Sequence, residues 1–83
     1  MNDLDRINKA SKRIRNEADL LVKGSSLHHR YIALANLLED VYIAQRTYDA
    51  TGDMDYHVPI GIWFTASNSA GIIMEDFDTR KGL

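Results

Sequence analysis

Apolar residues return at helical intervals through three stretches of this chain. Leu4, Ile7, Ser11, Ile14, Ala18 and Leu21 follow a 3,4,3,4,3 spacing, which places them on one stripe of an α-helix. Asn2 is a candidate N-cap, and Asp3 and Asp5 suit a first turn, where carboxylates meet the positive end of the helix dipole. Lys23 and Gly24 then supply a cation for the last turn and a residue free to turn left-handed. The pattern predicts a helix over residues 3–23.

Ser25 or Ser26 can cap a second helix, predicted over residues 26–50. Its stripe is Leu27, Tyr31, Leu34, Leu38, Val41, Gln45 and Tyr48, widened by Ile32, Ala35, Leu37, Tyr42 and Ile43. A helix apolar on more than one side must be covered on more than one side. Thr51-Gly52-Asp53 closes it, and the short link at Gly24–Ser25 forces the first two helices into an antiparallel hairpin.

The third element, residues 59–81, admits two readings. As a helix, it has Pro59 in the first turn and Ile60, Trp63, Ser67, Ala70, Met74 and Phe77 on one stripe, with Arg80-Lys81-Gly82 at its end. As a β-hairpin over residues 59–77, Ile60, Ile62, Phe64 and Ala66 alternate, Ser67-Asn68-Ser69 turns, and Ile72 and Met74 return. Two glycines and five β-branched residues favour the strand, and acids near a helix C-terminus disfavour the helix. Periodicity decides for the helix, since an isolated two-stranded hairpin is marginal. The small residues Ala66, Ser67, Ser69, Ala70 and Gly71 would let such a helix approach its neighbours closely. The expected fold is all-α, an antiparallel αα-hairpin plus a third helix in one small three-helix bundle spanning residues 1–83; the alternative is α+β with a C-terminal β-hairpin.

Length narrows the picture, because a chain of 83 residues buries only about 60–65% of its unfolded surface and has a thin core. With no cysteine there is no disulfide to compensate, which leaves helix packing or self-association. No secretory signal pattern and no membrane-spanning stretch is evident, so a cytoplasmic protein without membrane contact is expected. Net charge is −2, unevenly spread: residues 1–30 hold seven cations and four acids, residues 31–83 three cations and eight acids. Such polarity can steer one copy onto another or turn a basic face toward a polyanion.

The candidate chemistry is sparse. Arg6, Lys9 and Arg13 share a helical stripe about 60° wide, flanked by Lys12, and these four are the candidate site for a nucleotide, nucleic acid or other anion. The bland alternative is a solvated face meeting acids of a neighbouring subunit. No second basic helix follows at helix-turn-helix spacing. Asp49, Asp53, Asp55 and His57 lack the glycine and glutamate of a calcium loop, which leaves them turn and capping residues. His28 and His29 have no ligand partner four residues on, and no serine sits in a nucleophile elbow. Neither catalysis nor a metal or cofactor is therefore expected. Tyr42, Ile43 and Phe64 fall off the helical seams and are the candidate protein interface. The expected function is non-enzymatic: a small regulatory or inhibitory protein acting through homo-oligomerisation and protein–protein contact, with anionic-ligand binding as the alternative.

Overall fold

In the computed structural model the described residues run from Asp3 to Lys81, with side chains described through Asp76. Helix α1 spans Asp3–Ala18, α2 Ser26–Thr51 and α3 Ile60–Lys81, with a 3₁₀ turn at Met54–Tyr56 between α2 and α3. The chain is thus a bundle of three helices. The β-hairpin alternative is overturned, since residues 60–81 form one continuous helix and no strand occurs among the described residues. Burial shows why: Trp63, Ala66, Ala70, Ile73 and Met74 turn inward at 3- and 4-residue steps, a period no strand can present to one core.

α1 separates its faces cleanly. Ile7, Ala10, Ser11, Ile14 and Ala18 are buried while the charged positions stay at or near the surface, and the buried Ser11 hydroxyl donates to the Asn8 carbonyl at 2.7 Å. The helix stops at Ala18, five residues before the predicted Lys23. Asp19 there donates its N–H to both Arg15 and Asn16 carbonyls, and Leu20 and Leu21 continue with bonds three residues back, the tightened turn that ends many helices. Asp19 also puts a negative charge at the negative end of the dipole. Gly24 then takes a φ of 84°, and Ser25 caps α2 by accepting from the His28 N–H at 3.1 Å. At the other end of α2, Gly52 adopts φ 71° and donates to the Tyr48 carbonyl. The proposed caps at Asn2 and Gly82 lie outside the described residues.

The core runs through all three helices and includes Val58 of the connector. Ile7 and Leu38 are the largest fully buried side chains; Ala10, Ala18, Ala35, Ala66 and Ala70 are equally sealed but small. Alanines let the helix backbones come close, yet each contributes about one methyl group, roughly 0.8 kcal/mol, against about 1.5–3 kcal/mol for a buried leucine or isoleucine. α1 is the shared element, packing against both α2 and α3, which touch each other sparingly.

One ion pair crosses the hairpin. Arg15 Nη2 lies 2.6 Å from Glu39 Oε2 and donates to Asn36 Oδ1 at 3.0 Å. Part of the sequence's charge polarity is therefore neutralised inside one protomer, where basic α1 meets acidic α2.

Candidate functional site

The basic stripe of α1 does not gather into one place. Lys9, Lys12 and Arg13 line a shallow depression of about 210 Å³ with Asn16 and Met74. Arg6 lies apart, its guanidinium over α3, where Nη1 would stand 3.8 Å from a Cβ at Gly71. The geometry brings together three of the four predicted cations and leaves the fourth as a cover for α3. Lys9 and Lys12 make no ion pair among the described residues, so their charge is available to solvent or to an anion.

The three predicted interface residues also separate. Tyr42 is half-buried against the core, and its hydroxyl accepts from Arg46 at 3.1 Å. Ile43 is 50% exposed and lines a groove between α1 and α2 with Asn8, Lys12 and Glu39. Phe64 is 58% exposed and belongs to the outer side of α3. On α2, Leu27 and Leu37 join Ile43 as exposed aliphatics, at positions about 80° to 160° apart around the helix, so they make no single patch.

The outer side of α3 is different. From Ile60 to Met74 there is no charged residue, and Ile60, Phe64 and Ile72 are 71%, 58% and 68% exposed. Between and beside them lie Gly61, Thr65, Asn68 and Gly71, Ile62 is 46% exposed toward the edge of this side, and the Thr65 hydroxyl donates to the Gly61 carbonyl at 2.9 Å. Periodicity alone assigns Ile60 to the buried stripe, and that assignment is wrong: the turn from Val58 into the helix leaves Ile60 outside. The signal in the sequence is the missing charge, since a helix half-exposed in water ordinarily carries charged residues on its wet side. The glycines have no packing reason at Gly61, where a Cβ would meet nothing within 4 Å; Gly71 faces Arg6.

Two further hollows border α3. One, about 400 Å³ and wide open, is lined by Gln45, His57, Val58, Ile60 and Trp63, with the His57 ring edge-on to Tyr48 at 5.3 Å. The other, about 310 Å³, lies between the three helices and brings Arg13, Glu17 and Asp76 beside Tyr31, Leu34, Ile72 and Ile73.

The turn residues perform local work. Asp53 accepts from the Asp55 N–H at 3.0 Å, Asp49 accepts from Gln45 at 2.9 Å, and no cluster of three metal-ligand side chains occurs among the described residues. His28 Nδ1 and Ser67 Oγ are buried without a hydrogen-bond partner there, but they belong to different helices and no bond joins them as base and nucleophile. No helix among the described residues is long and apolar enough to cross a membrane. No protein-family model, curated protein or solved structure matches this chain.

Proposed function

We propose that this protein is a non-enzymatic interaction module that self-associates and works through the surface so formed. The observation that carries the reading is the outer side of α3, where three large apolar side chains stand in water along a segment with no charge. Scattered apolar residues are normal on a surface, whereas contiguous ones rimmed by polar groups mark contact sites. A thin, alanine-rich core gives the same reading a stability rationale, since covering α3 adds buried area that the protomer lacks. Sedimentation velocity over about 5–500 µM tests it, with reversible mass-dependent association expected at the upper end. A single monomer boundary across that range rejects it.

The depression formed by Lys9, Lys12, Arg13 and Asn16 supports a second reading, binding of a phosphate-bearing ligand. Titration with a nucleoside triphosphate or a short single-stranded RNA at low salt is the test. Affinity that falls steeply with added salt and is lost on Lys9→Ala with Lys12→Ala sustains this reading, while no binding at low salt ends it.

A further inference from the structure

We infer that the outer face of α3 is an isologous antiparallel interface that pairs with the same face of a second copy about a two-fold axis at Asn68; the inference deepens the self-association reading and rests on it. Gly61, Phe64, Thr65, Asn68, Ile72 and Glu75 fall within an arc of about 100° on α3, and Phe64 and Ile72 are strongly exposed. A second helix can be laid on such a face in many ways. The register centred on Asn68 is the one that the charges of α3 select.

Two identical helices related by a two-fold axis contact residue i against residue j and j against i. Asn68 sits four residues from both Phe64 and Ile72, and seven from both Gly61 and Glu75. An antiparallel pair centred on Asn68 therefore sets Phe64 against Ile72 of the second copy twice over. Thr65, with its hydroxyl bonded inside its own helix, offers the partner a methyl group. The Asn68 amide holds both donor and acceptor, so two copies facing each other across the axis can satisfy each other. A buried amide at a fixed place in a helix pair is also a known means of fixing register.

Charge agrees with this arrangement. The first turn of α3 has no carboxylate, and Pro59 before it has no side-chain oxygen to accept from the free N–H groups. Glu75 is exposed and makes no hydrogen bond or ion pair among the described residues. In the antiparallel pair each Glu75 meets the second copy's α3 at Gly61, where N–H groups point outward and the dipole is positive. Gly61, with open space where a Cβ would be, leaves room for that carboxylate. A misplaced acid and an uncapped helix start thus answer each other between copies.

The area sets the strength. The uncharged length of α3 is about 22 Å, so a face about 10–12 Å wide buries on the order of 500 Å² per protomer, near the lower bound for a specific interface. A reversible dimer is expected rather than an obligate one.

The cysteine-free chain makes the register testable. Asn68→Cys, placed on the axis, should give a disulfide-linked dimer under mild oxidation, whereas Ala33→Cys, exposed on α2, should stay monomeric. Phe64→Asp should weaken dimerisation at least about tenfold and Glu75→Lys about three- to tenfold, with the monomer's helical circular dichroism retained in both. A dimeric wild type that survives Phe64→Asp, or in which the two cysteine variants cross-link equally, overturns this face while leaving self-association intact. A wild type that stays monomeric at several hundred micromolar, by contrast, removes the underlying reading itself.

Discussion

α1 and α3 each bury one side in the same core, yet their other sides have nothing in common. Opposite Ile7 and Ala10, α1 turns Lys9, Lys12 and Asn16 to water; opposite Ala66 and Ala70, α3 turns out Phe64, Asn68 and Ile72. The fold needs only the inner half of each helix. What is written on the outer half is therefore free to differ, and it does: charge on α1, an uncharged and partly apolar surface on α3.

The sharpest break of that contrast is a pair of truncations. Ile7→Ala, at a fully buried site, should cost about 2–5 kcal/mol in urea unfolding at low protein concentration, while Phe64→Ser should stay within about 0.5 kcal/mol. Equal losses would mean that Phe64 belongs to the protomer's own core. Next in size, Ala70→Leu should destabilise by about 1–3 kcal/mol, because the sealed alanine leaves no volume between helices. A neutral result would show that α3 sits loosely. Gly61→Ala should raise the monomer's unfolding free energy by up to about 1 kcal/mol, as a methyl there meets nothing and glycine is a poor helix former. The smallest effect belongs to the hairpin's ion pair: Arg15→Ala should cost about 0.2–1 kcal/mol and less in high salt, both partners being substantially exposed.

Most of the architecture was legible in the spacing of apolar residues, because the inward stripe of each helix obeys one period. Ile7, Ile14, Leu38, Val41 and Ala70 are where that period puts them. Two things escaped it. The end of α1 did, since Leu21 continues the stripe while the backbone has already left the helix at Ala18, and periodicity does not register a turn that keeps the phase. Ile60 did as well: it matches the stripe in number but lies before the helix has entered the core. The candidate surfaces were harder to read than the fold, because Tyr42, Ile43 and Phe64 share only the property of lying off a seam. That property places a residue on no particular face, and the three helices carried them apart.

The position of α1 between its two neighbours bears on how the chain acquires its shape during synthesis. α1 and α2 can meet as soon as the hairpin is complete, but α1 also forms the bed on which α3 rests, and those partners are more than fifty residues apart in sequence. Until the last quarter of the polypeptide has emerged, one flank of the earliest helix has no cover, and its docking waits on the slow closure of a long loop. A ribosome pausing late on this message would hold out a half-dressed hairpin, the species on which a chaperone or a second nascent copy could act.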